Sequence, residues 1–324
     1  MPTLRFSLIA AALVLAARLP AAVPPALAAP PAPAVPEPSK AGNSKPAVAD
    51  TIAAPVLTPE EEAAKAAMFE RAKPRLKELV SRQDALLAAL GREDADVDNL
   101  KRDIQTLVFD YDAFLRVFPN YAPGYVTYGL LLQKVGMRRE SSVILLKANS
   151  LDPEIPIVKN QLGNYLAEEG EPLEAANYFI AAIRLAPREP LYHYQLGRLL
   201  SSARDYFLKS GQWDRAQIDR TMQDAFRKAM ELAPDSFRYA YAYAESFYDI
   251  SAPNWEEALK LWGALEDRAA PGLEKETIRL HAARVLILQG KKEHARMLLS
   301  AVTSEPLLEQ KQKLLDQLAA KPEK

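Results

Sequence analysis

Cysteine is absent from this 324-residue sequence, which excludes disulfide bonds, thiol catalysis and thiolate metal sites. Histidine is scarce as well, and the three residues His193, His281 and His294 lack the i, i+4 spacing of metal ligands on one helix. No glycine-rich phosphate loop, nucleophile elbow or His-Glu-x-x-His motif occurs. Neither sign of charge predominates, with 41 basic and 42 acidic residues, so a nucleic-acid-binding surface is not indicated. We predict a protein that is not an enzyme and that uses no cofactor or metal.

Long hydrophobic runs are also lacking, with one short exception near the N-terminus. Residues 8–17 are apolar, Arg5 precedes them, and Ala26-Leu27-Ala28 follows as a small-residue cleavage site, which is the pattern of a secretory signal. The run is shorter than the roughly 20 residues that a membrane-spanning helix needs. We therefore predict a signal peptide over 1–28 and an exported protein, periplasmic or secreted, with no integral membrane span after cleavage. Retention of the segment as an uncleaved anchor is the alternative.

Proline, alanine, serine and lysine dominate residues 29–58, and no apolar periodicity is present. Such a segment cannot bury a core and is expected to be a disordered, partly polyproline linker that extends about 3 Å per residue. It is either a spacer from a membrane surface or a solvated remnant behind the signal. At its end, Thr58, Pro59 and Glu61 match a capping box with proline in the first turn, which indicates that a helix begins there.

Two ungapped blocks of 34 residues follow each other in the middle of the chain, 122–155 and 156–189. In register, Gly129 aligns with Gly163, and a Leu-x-Pro sequence ends both blocks. The second block predicts two amphipathic helices, because apolar residues recur at helical spacing on both sides of Gly170. Gly170 suits a helix C-cap, whereas Gly163 suits the close approach of two helices. One such hairpin cannot bury its apolar face alone, so several must stack.

A 34-residue helix–turn–helix unit with a small residue at its eighth position and Leu-x-Pro at its end resembles the tetratricopeptide repeat. The resemblance covers about residues 119–306 and implies about five repeats. It implies an all-α fold, a right-handed α-solenoid of helix–turn–helix repeats with capping helices, preceded by the disordered linker. We expect the N-terminal capping helices, a degenerate repeat, over 59–118, and a C-terminal solvating helix and tail over 307–324.

Two segments depart from the regular pattern. In the third repeat, 47 residues rather than 34 separate Pro187 from Pro234, so both helices are expected to be longer by nearly two turns, about 10 Å each. This extension is either a projecting docking surface that uses Tyr206 and Phe207 or a hairpin whose aromatic residues close on themselves. In the fourth repeat, residues 237–250 alternate tyrosine and alanine like a strand, but they follow a helix-start sequence, and we predict a helix.

In tetratricopeptide arrays the first helix of each repeat lines an inner groove. Carried over by register, the resemblance places partner-binding candidates at Asn160, Asn164, Tyr194, Arg198, Tyr241, Glu245 and Tyr248. Asparagine offers a peptide backbone both a donor and an acceptor, tyrosine offers contact area, and arginine offers a fork for a carboxylate. The several basic residues of the carboxylate clamp found in chaperone-tail-binding members are absent, which argues against an acidic C-terminal tail. Ordinary groove lining without a dedicated ligand is the alternative.

Our leading functional hypothesis is a non-enzymatic adaptor of the bacterial cell envelope that binds a peptide or helix of a protein partner in its groove. Two alternatives remain open. One is a self-associating scaffold component of an envelope assembly or secretion machine, which docks through the third hairpin. The other is an accessory subunit of a polysaccharide- or peptidoglycan-modifying enzyme.

Overall fold

The computed structural model describes residues 58–90, 92 and 96–319. Over these residues the chain forms fourteen α-helices, one 3-10 turn and no strand, which confirms the all-α prediction. The predicted signal peptide, the linker up to residue 57 and the last residues of the tail lie outside the described residues. The chain divides after Ile144 into two compact units.

The first unit contains α1 (Pro59–Leu90), α2 (Val97–Val117), α3 (Ala122–Lys134) and the beginning of α4 (Arg138–Leu151). α1 begins with the predicted capping box, because the backbone N–H of Thr58 donates to Glu61 Oε2 at 2.8 Å and that of Glu61 donates to Thr58 Oγ1 at 3.3 Å. α1 and α2 pack through a buried hydrogen bond of 2.8 Å from the Tyr111 hydroxyl to Gln83 Oε1. The Tyr111 ring also stacks on Tyr128 of α3, with 5.1 Å between centroids. Both helices predicted before Pro119 are therefore present.

The second unit contains the end of α4 and the remaining helices. These are α5 (Pro156–Glu168), α6 (Pro172–Leu185), α7 (Pro190–Ser202), α8 (Arg204–Ser210), α9 (Arg215–Leu232), α10 (Phe237–Ser246), α11 (Trp255–Arg268), α12 (Leu273–Leu288), α13 (Lys292–Ser300) and α14 (Leu308–Ala319), with the 3-10 turn at Glu305–Leu307. The successive hairpins are α5–α6, α7–α9, α10–α11 and α12–α13, and α8 is inserted within the second of them.

Glycine ends the first helix of three hairpins at the place that the period predicts. Gly136, Gly170 and Gly290 have φ angles of 81°, 84° and 75°, the left-handed conformation that glycine adopts without steric cost. After Gly170, Pro172 occupies the first turn of α6, where a missing backbone N–H costs no helical hydrogen bond. The sequence period is therefore a structural repeat.

The tyrosine-rich segment of the fourth repeat is helical, as predicted. α10 follows Ser236, whose hydroxyl accepts a hydrogen bond from the backbone N–H of Tyr239 at 3.4 Å. Tyr243 and, just past the helix end, Phe247 are buried. The alternation of tyrosine and alanine is thus compatible with a helix because the large side chains recur at i, i+4 on one face.

The third repeat differs from the prediction of two helices each longer by nearly two turns. α7 has 13 residues, the same length as α5, and seven residues of the insertion form the separate helix α8. α9 has 18 residues and α6 has 14, so the second helix of this repeat is longer by about one turn. α8 ends at Gly211 with φ 69°. Its Phe207 is fully buried and contacts Trp213 edge-on at 5.5 Å. The predicted extension is therefore wrong for the first helix and too long for the second, because folding α8 back buries aromatic surface that a projecting hairpin would leave in water.

One apolar core joins the hairpins from α6 to α12, and it contains the fully buried Phe247 and Trp262. The glycine at the eighth position, Gly163 on α5 and Gly197 on α7, permits the close packing within those two hairpins. A Cβ atom added to Gly163 would lie 2.8 Å from the ring of Phe179, the nearest neighbour on α6. The predicted contact of Gly163 with the second helix is confirmed. A second cluster, around Leu299, joins α12 and α13 to α14.

Candidate partner-binding face

The first helices of the hairpins in the second unit lie side by side, and we call the surface of α5, α7, α10 and α12 the first-helix face. α5 contacts α7. α7 contacts α10 through the rings of Tyr194 and Tyr239, with 5.1 Å between centroids. α10 contacts α12 through Tyr241, whose hydroxyl lies 2.8 Å from His281 Nε2. The partner-binding candidates from the repeat register all lie on α5, α7 or α10, or in the turn after α10.

The two asparagines of α5 differ in exposure. Asn160 is fully buried, and neither its side-chain oxygen nor its nitrogen has a hydrogen-bond partner among the described residues. The prediction of Asn160 as a groove contact is wrong for this conformation, because neighbouring side chains cover it. Asn164 follows one turn later, is half-buried and donates to Gln161 Oε1 at 3.2 Å. Asn164 is therefore the asparagine of α5 that a partner can reach.

Tyr194 and Arg198 lie one turn apart on α7. The Tyr194 ring is buried and packs against Phe226 and Tyr239, which makes it part of the core rather than an exposed contact. Arg198 is exposed, and its guanidinium carbon lies 5.9 Å from the centroid of that ring. Arg238 of α10, which is not among the candidates from sequence, approaches the same ring at 5.4 Å. Two guanidinium groups from adjacent hairpins therefore share one aromatic ring.

Tyr241 and Tyr248 belong to an aromatic cluster with His281 and the fully buried Trp262. The His281 ring stacks on Trp262 with 4.3 Å between centroids, and the Tyr248 hydroxyl donates to the His281 carbonyl oxygen at 3.0 Å. Burial raises the pKa of Tyr241 to about 12 and lowers the pKa of His281 to about 4, where the nearby Arg284 guanidinium adds to the effect. Both the Tyr241 phenol and the His281 imidazole are therefore neutral at pH 7. Both tyrosines pack α10 against α12, so a partner can meet only their partly exposed edges.

The end of α10 carries negative charge. The Glu245 side chain is exposed overall, but partial burial of its carboxyl group raises the pKa of Glu245, and repulsion from Asp249 adds to this rise. Attraction from Arg284 of α12 opposes it. Arg284 is exposed, with its guanidinium carbon 4.2 Å from the Tyr248 ring centroid. Asp249 accepts a hydrogen bond of 3.0 Å from the hydroxyl of Ser201 on α7. The first-helix face thus carries Arg198 and Arg238 around the beginning of α10, whereas Glu245, Asp249 and Arg284 lie around its end.

The two docking candidates in the third repeat, Tyr206 and Phe207, differ in their exposure to solvent. Tyr206 is 46% exposed, whereas Phe207 is fully buried. Docking through Phe207 is therefore wrong for this conformation, since the side chain already fills the core. The buried carboxylate of Asp219 on α9 holds the surrounding chain, because it accepts from Arg215 Nε at 2.8 Å and from the backbone N–H of Ser251 at 2.9 Å.

Two basic residues of the first-helix face, Arg238 and Arg284, are not among the candidates from sequence. A signal exists for Arg284: it precedes Gly290 by six residues, as Asn164 precedes Gly170, so the register extends to it. No comparable signal marks Arg238, because its proximity to Tyr194 depends on how α10 packs on α7.

Within the part of the chain that the structure describes, no helix is long and apolar enough to cross a membrane. No three histidine or carboxylate side chains of that part group as they would around a metal ion.

No family model matches the sequence, and no curated protein matches it. Solved structures do match. YrrB, described as a TPR protein with an unusual peptide-binding site, aligns with a TM-score of 0.53 and 17% identity over 64% of this chain and 97% of its own. PilF of Pseudomonas aeruginosa aligns with a TM-score of 0.49 and 16% identity over 74% of this chain and 99% of its own. MamA of Desulfovibrio magneticus RS-1 aligns with a TM-score of 0.42 and 15% identity over 58% of this chain and 93% of its own. The likeness to YrrB shows that this chain has a fold of the tetratricopeptide-repeat type, an α-solenoid of helical hairpins.

Proposed function

We propose that this protein is a non-enzymatic adaptor that binds a segment of a partner protein along the first-helix face. The observation that supports it most is a row of polar side chains at one repeat position on successive first helices: Asn164, Arg198, Glu245 and Arg284. The first is half-buried, and the three charged ones are exposed. A single peptide or helix that crosses α5, α7, α10 and α12 would meet these side chains in turn.

The charges of this row are available to a partner. Among the described residues, neither Arg198 nor Arg284 has a carboxylate within salt-bridge distance, and Glu245 has no basic nitrogen within it. A partner segment with complementary groups would gain charge-assisted hydrogen bonds without breaking existing ion pairs. YrrB, which shares the fold, is a TPR protein with an unusual peptide-binding site, and this favours a peptide as the ligand class.

We further propose that the adaptor works outside the cytoplasm, in the cell envelope. This proposal rests on the signal-like residues 1–28, which lie outside the described residues. Mature protein isolated from its native host should begin near Ala29 if the segment is cleaved. Recovery of an intact Met1 terminus in the cytosolic fraction would contradict it.

The binding proposal is tested by changing two residues of the row that lie on different hairpins. A tagged protein with Asn164→Ala and Glu245→Ala should capture its native partner at least about tenfold more weakly, because each lost polar contact typically costs about 1–3 kcal/mol. The thermal midpoint should change little, since Glu245 is exposed and, among the residues that the structure describes, Asn164 forms a side-chain hydrogen bond only with Gln161. Quantitative mass spectrometry of material co-purified from the envelope provides the measurement.

A matched control uses the same residue types on the second helix α6. Glu174 and Asn177 are both exposed there, so their replacement by alanine should leave capture unchanged. Tyr206→Ala serves as a probe of the alternative, a scaffold that docks through the third repeat. Unchanged capture by the Asn164/Glu245 variant, together with loss in Tyr206→Ala, would refute the first-helix face and favour that alternative.

A further inference from the structure

Arg198 and Arg238 flank the Tyr194 ring from two different hairpins. We propose that this arrangement, which we call the arginine pair, binds carboxylate groups of an acidic segment in the partner. This inference rests on the proposed function and adds the chemistry of the ligand. The expectation from sequence concerned an acidic C-terminal tail, which the absence of a carboxylate clamp disfavours, and it did not include Arg238.

The arginine pair has no ionic partner within the protein. Both side chains are exposed, and among the described residues neither forms a salt bridge or donates a hydrogen bond. By contrast, Arg215 and Arg279 donate at 2.8 Å to the carboxylates of Asp219 and Glu266. The guanidinium forks of the arginine pair are therefore open for a planar anion such as a carboxylate.

The Tyr194 ring positions both guanidinium groups before any ligand binds. The ring is itself fixed, because Phe226 packs against it at 6.0 Å and Tyr239 at 5.1 Å. Cation–π attraction to a fixed ring restricts two otherwise flexible side chains. Less conformational entropy is then lost on binding, which favours affinity for a ligand of matching charge.

The charges around the pair determine where an acidic residue can lie. Glu245 and Asp249 are near the end of α10, and Arg238 precedes Glu245 by seven residues, about 10 Å along the helix. Glu189, before α7, is exposed, and its charge adds to the effect of burial, which raises the pKa of Tyr239. An acidic residue of the ligand is therefore most favoured over Tyr194, between these carboxylates, and less favoured close to either of them.

A defined peptide tests the arginine pair without knowledge of the partner. The probe is a fluorescein-labelled Asp-Ser repeat with a blocked C-terminus, and its isosteric control is the Asn-Ser repeat of equal length. Fluorescence anisotropy should show binding of the Asp-Ser peptide only. Non-specific attraction does not predict this result, because the protein has a net charge of −1.

Variants locate the binding. Arg198→Gln and Arg238→Gln keep polar side chains but remove the charges, and each should weaken binding by about tenfold or more, the effect of a charged hydrogen bond. Arg184→Gln, an exposed site on α6, removes the same charge elsewhere and should leave binding unchanged. Equal thermal midpoints would show that all three variants fold alike.

Three results would overturn the arginine pair: no binding of the Asp-Ser peptide, unchanged binding in both arginine variants, or an equal loss in Arg184→Gln. None of these results tests the proposed function itself. That test is the weaker capture of the native partner by the Asn164/Glu245 variant. If that variant loses capture while the peptide fails to bind, the first-helix face binds a partner of different chemistry.

Discussion

Gly163 illustrates, at the scale of a residue, why the repeat period contains a glycine. A Cβ atom at this position would lie 2.8 Å from the Phe179 ring, and Phe179 is 2% exposed, so the ring has no room to move. Gly263 of α11 gives the opposite case, because it is exposed and an added Cβ would meet no atom within 4 Å. The same substitution should therefore have opposite effects at the two sites.

We expect Gly163→Ala to lower the free energy of unfolding by about 1 kcal/mol, because an overpacking cost of about 1–3 kcal/mol exceeds the gain in helix propensity. Gly263→Ala should raise it by up to about 1 kcal/mol, since only the propensity gain remains. Urea unfolding followed by circular dichroism measures both. Stabilisation by both substitutions would mean that Gly163 is not in close contact with α6.

The limit of sequence reasoning is also clearest for single residues. Asn160 and Asn164 have the same type and lie one turn apart, yet one is fully buried and the other reaches the surface. The repeat register identifies the helix and its position in the hairpin, but the burial of a side chain depends on what the next hairpin places against it. Arg238 was missed for the same reason, because its relation to Tyr194 exists only after α10 packs on α7.

Among the secondary-structure elements, α12 is tied to the last turn of the chain through one carboxylate. Glu276 Oε2 accepts from the backbone N–H of Ser304 at 2.7 Å and from that of Thr303 at 2.8 Å. These bonds, led by that of Ser304, lower the pKa of Glu276 from 4.5 to about 2. The charged form is therefore the one that holds the segment before α14 against α12.

The sign of the pH dependence follows from this lowered pKa. Glu276 stabilises the fold fully above pH 4.5, the unfolded value, and the contribution is lost as pH falls towards about 2. Glu276→Gln should be less stable than the wild type at neutral pH, and the difference should shrink through that window. Thermal midpoints against pH measure it, with Glu274→Gln, an exposed site on the same helix, as control. A difference that stays constant down to pH 2 would contradict the role of the charge.

The insertion in the third repeat shows what element lengths can and cannot predict. Counting between Pro187 and Pro234 finds the extra residues correctly, but it does not tell how they are divided. Seven of them form the separate helix α8, and α9 is four residues longer than α6. The alternative that aromatic side chains close the hairpin on itself describes the outcome better, because Phe207 enters the core. The ends of α5 and α6 were predictable from sequence, since Gly170 and Pro172 determine the turn between them locally.

At the scale of the whole molecule, the repeat period predicts the fold because each hairpin contacts mainly its neighbours. The order and ends of the helices follow from local signals in the sequence, whereas the ligand does not. The charges on the first-helix face come from several hairpins, so the period alone does not specify their combination. The same nearest-neighbour logic predicts how the array responds to the loss of its end.

Helix α14 and the turn before it pack against the C-terminal hairpin of the array. Leu307, Leu314 and Leu318 cover Leu286 and Leu299 of the preceding hairpin. Removing residues 305–324 should expose that apolar surface, speed hydrogen exchange in α12 and α13, and promote aggregation. Protection of α6 and α9 should persist, because they belong to the separate core around Phe247 and Trp262.

A second variant keeps the helix but removes its contact: Leu314→Ser with Leu318→Ser should loosen α12 and α13 in the same way, though less than the truncation. Replacement of Lys313 by serine, at an exposed site on α14, controls for loss of helix propensity. Hydrogen exchange with mass spectrometry resolves the helices separately. Loss of protection that is equal from α6 to α13 would mean that the array unfolds as one unit, and no loss at all would mean that α14 is not a cap.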